Sequence, residues 1–198
     1  MRIVASLLAI AFVATATAQI PLLNADIENN SGGLFGPIDD WGPNGGVADH
    51  VGFAKPGNET LGDYFGYMSV NGGETVGQLT DVLIQPDTLY TFASFAQGGG
   101  DNTGRVYYEI GYADDLAEFV TLATSFYDVG ETWAQQPGVE YTTGATGDEL
   151  GRQLWVRLGA GDGSDYGDLW FDSFVATPEP ASLGLLGLGL FVALRRRG

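Results

Sequence analysis

Along residues 105–113 apolar and polar side chains alternate. Val106, Tyr108, Ile110 and Tyr112 fall on one side, and Arg105, Tyr107 and Glu109 on the other. A period of two marks a half-buried strand. Residues 152–158 repeat it, with Leu154, Val156 and Leu158 opposed to Gln153, Trp155 and Arg157. Similar runs occur at 20–28, 64–70, 74–84, 88–96, 118–126, 132–143 and 168–176, the penultimate one crossed by Pro137-Gly138. Turn residues separate them, among them Asn71-Gly72-Gly73 and Gln85-Pro86-Asp87. A long loop over 29–63 holds Asp39-Asp40-Trp41 and Asn44-Gly45-Gly46, and a loop of that length is usually functional or hides a short strand. No helical period appears between the two ends of the chain. Eight or nine short strands do not suit one flat sheet. The pattern therefore predicts an all-β domain of two packed sheets, a sandwich or jelly roll.

The two ends read differently. Met1–Ala18 has a basic residue (Arg2), an apolar run and Ala16-Thr17-Ala18 before Gln19. This is the pattern of a secretory signal peptide cut between Ala18 and Gln19. At the other end Pro178-Glu179-Pro180 precedes an apolar run, 181–194, and then Arg195-Arg196-Arg197. The run of 14 residues would span about 21 Å as a helix, short of a comfortable membrane crossing. Snorkelling arginines would help it cross, with the basic end on the cytoplasmic side. The reading is thus a signal peptide, a β-sandwich over 19–176 and a sorting tail over 177–198. A signal helix and a short hydrophobic helix flank the domain. The Pro-Glu-Pro segment is expected just outside the last strand.

Setting the ends aside sharpens the charge. Four of the eight basic residues and one of the 25 acids lie there, leaving four basic against 24 acidic residues, a formal −20. Only Lys55, Arg105, Arg152 and Arg157 remain basic. Nucleic-acid binding is excluded on charge, and bound cations or a saline habitat would offset the self-repulsion. The chain has no cysteine and a single histidine, His50. That removes thiol catalysis and cysteine-ligated zinc, and argues against histidine-based zinc sites and catalytic triads. His50 itself is read as an ordinary side chain.

The polar side of the two alternating strands is the first candidate for binding. It gathers Arg105, Tyr107, Glu109, Gln153, Trp155 and Arg157. Sugars stack on flat aromatics while Arg, Gln and Glu hydrogen-bond their hydroxyls. Trp41 and Trp133 are placed to contribute from loops. The competing reading packs Trp155 inside the sandwich. A second candidate, the loop 161–168 (Gly-Asp-Gly-Ser-Asp-Tyr-Gly-Asp), hints at calcium, but it lacks EF-hand spacing and reads better as a solvated turn.

Pro178-Glu179-Pro180, the apolar run and the arginine cluster together resemble the PEP-CTERM sorting signal. The resemblance implies a substrate of an exosortase, a membrane-embedded, cysteine-dependent, transpeptidase-like enzyme. It also implies export through the inner membrane of a Gram-negative, exopolysaccharide-making bacterium, to the cell surface, outer membrane or extracellular matrix. The tail would then contact the membrane at least transiently.

The body resembles a carbohydrate-binding-module jelly roll of the galactose-binding-like type. The stretches that carry the resemblance are Leu23-Asn24-Ala25-Asp26-Ile27-Glu28 with Trp41 after it, Val76-Gly77-Gln78-Leu79-Thr80 followed by Gln85–Phe92, and Leu169-Trp170-Phe171-Asp172-Ser173-Phe174. It departs from that family at Ala25, Ile27 and Ser173. The resemblance implies a structural calcium held by Glu28 and Asp172, with Asp26 or Asn24 adding an oxygen. Calcium-dependent indole-alkaloid cyclases are built on a similar jelly roll. On that likeness Asp172 would be a general acid with Tyr107 or Phe95 nearby. The chain is read as a non-catalytic, glycan- or exopolysaccharide-associated surface protein. The alternatives are a cyclase-like enzyme and a purely structural matrix protein.

Overall fold

The computed structural model describes residues 19–28, 38–42, 52–53, 61–69, 75–98, 104–114, 118–161 and 168–180. The signal peptide with Ala18, the apolar run, Arg195–Arg197, His50 and most of the 161–168 loop lie outside them. Ten strands are described: β1 (Gly52–Phe53), β2 (Gly66–Ser69), β3 (Thr75–Leu83), β4 (Thr88–Gly98), β5 (Gly104–Ala113), β6 (Phe119–Val129), β7 (Ala134–Gln135), β8 (Val139–Thr142), β9 (Gln153–Ala160) and β10 (Asp168–Pro180). Among the described residues no helix is long and apolar enough to cross a membrane.

The strands form two antiparallel sheets. One runs β1-β2-β10-β4-β7, with β8 also pairing β4; the other runs β3-β9-β5-β6. Their inner faces meet over Val76, Val106, Tyr108, Ile110, Leu154, Val156 and Leu158 from one sheet and Tyr90, Phe92, Leu169, Phe171, Phe174 and Ala176 from the other. This is the expected two-sheet sandwich. Burying each large apolar side chain contributes roughly 1.5–3 kcal/mol.

Two places depart from simple alternation, and both shape the site. The expected strand over 20–28 is a turn-rich segment, because Asn24 (φ 45°) and Ile27 (φ 56°) adopt left-handed backbone. It still borders β10: Ile20 N–H donates to Ala176 O at 2.8 Å, and Phe174 N–H donates to Ala25 O at 2.8 Å. In β10 the register against β4 shifts between Asp172 and Val175, with Ser173 at φ 53°. That bulge lets Phe171 and Phe174, three residues apart, both enter the core. Asp172 falls on the opposite face from Phe171.

β10 also runs four residues past the expected end at Ala176. Thr177 pairs with Thr91, Pro178 with Tyr90, Glu179 with Leu89 and Pro180 with Thr88. The Pro-Glu-Pro segment is therefore the end of a sheet strand, not a turn after it. Prolines are tolerated there for a geometric reason. Ala176 O is bonded to Ile20, on the side away from β4. Pro178 and Pro180 share that parity, so their missing N–H groups face away from β4 and remove no ladder bond.

Candidate functional site

The outer face of the four-stranded sheet gathers the predicted polar set. Register places Glu109 opposite Arg157, Tyr107 opposite Gly159, and Gly111 opposite Trp155 on β5 and β9. On the far side of β9, Gly77 stands opposite Arg157 and Leu79 opposite Trp155. Glycines recur here because large side chains lie flat against the sheet. A Cβ on Gly159 would come within 2.2 Å of the Tyr107 ring, one on Gly111 within 2.5 Å of Phe119, and one on Gly77 within 2.6 Å of Arg157.

Arg157 and Glu109 are bound to each other. Nε and Nη2 of Arg157 donate to one Glu109 oxygen at 3.0 and 2.6 Å. The other oxygen accepts the Thr121 and Thr124 hydroxyls at 3.3 Å each. The Arg157 guanidinium also lies 3.5 Å from the centre of the Phe119 ring, a close cation–π contact. Trp155 meets Phe119 edge-on at 5.3 Å. Its indole is 1% exposed, yet it lies outside the inter-sheet cluster, and its Nε1 has no hydrogen-bond acceptor. So Trp155 is neither an open platform nor a core residue. It is a covered ring with an unused donor.

The rest of the predicted glycan set spreads along this face or leaves it. Arg105 lies over Phe126 (5.1 Å) and near Asp128 (3.7 Å). Tyr107 packs on Phe126 at 5.6 Å, and Phe126 is 51% exposed. Gln153 sits near the β3 bulge and donates to Thr80 O at 3.3 Å. Trp41 does not contribute: it is a core ring stacked on Phe174 at 4.0 Å, its Nε1 donating to Leu23 O and Asn24 O. Trp133 packs on Phe65, which in turn meets Trp170 of the other sheet. The sequence reading missed Phe119, Thr121 and Thr124. Their position opposite the β5 polar face follows only once the β5–β6 register is known.

The second site is at the β10 bulge. Asp172 is 1% exposed. One carboxylate oxygen accepts from Ser173 N–H at 2.5 Å, while Oδ2 has no partner. Burial, then the nearby negative charges of Glu28 and Asp26, push its carboxyl up to about 7 against the pull of the Ser173 N–H. Glu28 is held by the Tyr64 N–H at 3.1 Å. It fits only because residue 62 is glycine: Gly62 has φ 127°, and a Cβ there would meet the Glu28 carboxylate at 2.0 Å. Asn24 turns its amide N–H to Asp39 O at 3.0 Å. Hard carboxylate oxygens with one lone pair set unused suit calcium. Among the described residues, however, no three His, Cys, Asp or Glu side chains converge as a metal cluster. Phe95 stands directly opposite Asp172. Tyr107 lies on the other sheet and is not its neighbour.

Residues 176–197 match the PEP-CTERM protein-sorting motif. The chain carries this sorting signal. The motif begins at Ala176, a core residue of β10, so the signal and the sandwich share five strand residues. No curated protein matches the chain. Among solved structures it is similar to a cyclase from Fischerella sp. TAU (20% identity, 84% of this chain and 99% of that one, TM-score 0.68). It is also similar to the CBM22-1 xylan-binding domain of Paenibacillus barcinonensis Xyn10C (16% identity, 84% and 99%, TM-score 0.56), and to a family 16 carbohydrate-binding module (18% identity, 78% and 97%, TM-score 0.52). These likenesses establish the jelly-roll fold.

Proposed function

We propose that the PEP-CTERM chain is an exported surface protein, sorted by an exosortase, that binds a glycan on the outer face of its four-stranded sheet. The sorting motif supports the first part, and the Trp155 indole carries the second. A buried donor without an acceptor costs roughly 1–3 kcal/mol. A sugar hydroxyl reaching Nε1 would recover that loss once the Phe119 and Arg157 side chains that cover the indole move aside, with the Arg157–Glu109 pair next along the face and the Tyr107 and Phe126 rings two register positions from Trp155. Jelly-roll neighbours that bind carbohydrate agree with this reading. The test is binding of the purified chain to a panel of bacterial exopolysaccharides and plant xylans, followed by titration calorimetry on any hit. Loss of binding in Trp155→Phe supports the site. Failure of the wild type to bind any glycan overturns it.

Calcium at Asp172 and Glu28 completes this reading. The ion would neutralise a buried carboxylate and tie the 20–28 segment to β10. Asp172 and Glu28 would hold it, and Asp26 or Asn24 would have to draw in to add an oxygen, since the three acids do not converge as they stand; its role would be structural.

A second reading rests on the same Asp172. A carboxyl lifted to about 7 and set opposite Phe95 is poised to donate a proton near neutrality, as a cyclase-like general acid would. The two readings need opposite protonation states of one side chain. Incubation with prenylated indole substrates tests the enzyme directly, and turnover lost in Asp172→Ala would favour it over the calcium role.

A further inference from the structure

The first five residues of the sorting motif, Ala176 to Pro180, are held in the folded sheet. Ala176 is fully buried, with its carbonyl taken by Ile20 N–H. Thr177 is hydrogen-bonded to Thr91 through their hydroxyls at 2.6 Å. Pro178, Glu179 and Pro180 lie in register with Tyr90, Leu89 and Thr88. Of these, Tyr90 is a core ring. The apolar run begins at the next residue, Ala181, so no linker separates the sandwich from the tail. The expected signal cut is close by: Ile20, the second residue after it, is bonded to Ala176.

An extended strand bonded to a sheet cannot enter a second protein's cleft in that state. An enzyme that reads 178–180 needs their backbone and both faces of the chain. We infer that the folded sandwich masks its own sorting signal, and that capture by the membrane enzyme requires the end of β10 to leave β4. Folding and sorting of this chain therefore compete for the same residues. This rests on the exosortase reading above and concerns access to the motif, not the chemistry of the cut. Its consequence is an ordering: the tail is captured before the last strand docks, or after the strand end frays. Fraying is local, because β2 pairs β10 only over Asp168–Phe171, far from the motif. Any stabilisation of the β10 end slows capture.

The test is a pulse-chase in an exosortase-bearing host, following loss of the tail from the full chain with an antibody to the sandwich. Two variants separate masking from misfolding. Thr91→Val with Thr177→Val removes the hydroxyl pair while keeping shape, and tail loss should quicken about fivefold, the population shift expected from one lost hydrogen bond. A second variant inserts a Gly-Ser linker and a copy of Thr-Pro-Glu-Pro after Pro180, leaving β10 intact. It should also quicken, and addition of Thr91→Val/Thr177→Val to it should have no further effect. In the purified chain, hydrogen exchange should find the Thr177 and Glu179 amides protected. Equal rates for wild type and both variants, or free exchange of those amides, overturns the inference. A wild-type tail that is never lost removes the exosortase reading and the inference with it. Loss in wild type with equal rates in the variants removes the inference alone.

Discussion

Arg157 and Glu109 face each other across β9 and β5, the guanidinium bonding twice to a single carboxylate oxygen. Their side chains are 18% and 11% exposed, so both charges are largely out of water. Breaking such a pair from one side strands the other charge. Arg157→Met should destabilise the domain by about 3 kcal/mol, and Glu109→Gln by less, because a neutral amide can still accept from Thr121 and Thr124. Urea denaturation of the two variants gives the order. Equal, negligible losses would mean that the pair is solvent-screened.

Trp155→Phe should act in opposite directions on stability and binding. It removes the orphaned N–H, so stability should hold or rise within about 1 kcal/mol. Glycan affinity should fall about tenfold if the indole donates to the ligand. Thermal melts and calorimetry on the same preparation read both. A fall in both quantities would make Trp155 a packing residue only.

Asp172 should make the calcium-free chain pH-sensitive. Its folded carboxyl stands at about 7 against an ordinary 3.8, so the folded state holds a proton the unfolded chain releases. That stability is complete below the unfolded value and is lost as pH rises through the folded one. The melting temperature in chelator should therefore drop between about pH 4 and pH 7. Calcium, which takes the ionised carboxylate, should raise it more at the upper end than at the lower. Asp172→Asn should flatten the pH trend and abolish the calcium response. No calcium response at either pH would eliminate the metal.

Gly62→Ala should disturb Glu28 without touching the core. The added methyl meets the carboxylate at 2.0 Å on a left-handed backbone, and the strain alone costs about 1 kcal/mol or more. The variant should also lose part of any calcium-induced rise in melting temperature. A full calcium response in a destabilised Gly62→Ala chain would take Glu28 out of the ligand set.

The period-two pattern alone determined most strands of the sandwich and which residues of β5 and β9 share a face. It did so because alternation is a local property of an extended chain packed on one side. Residue order alone also determined the sorting tail, whose three parts are contiguous. The segment over 20–28 was misread as a strand because alternation does not reveal left-handed residues such as Asn24 and Ile27. Tertiary structure decided the burial of Trp155. Whether an outward side chain is open depends on neighbours from other strands, here Phe119 and Arg157, lying flat where glycines leave room. It also decided that Pro178-Glu179-Pro180 belongs to the sheet. Prolines read as breakers in sequence, and only the position of β4 on one side of β10 reveals that their missing N–H groups face the other way.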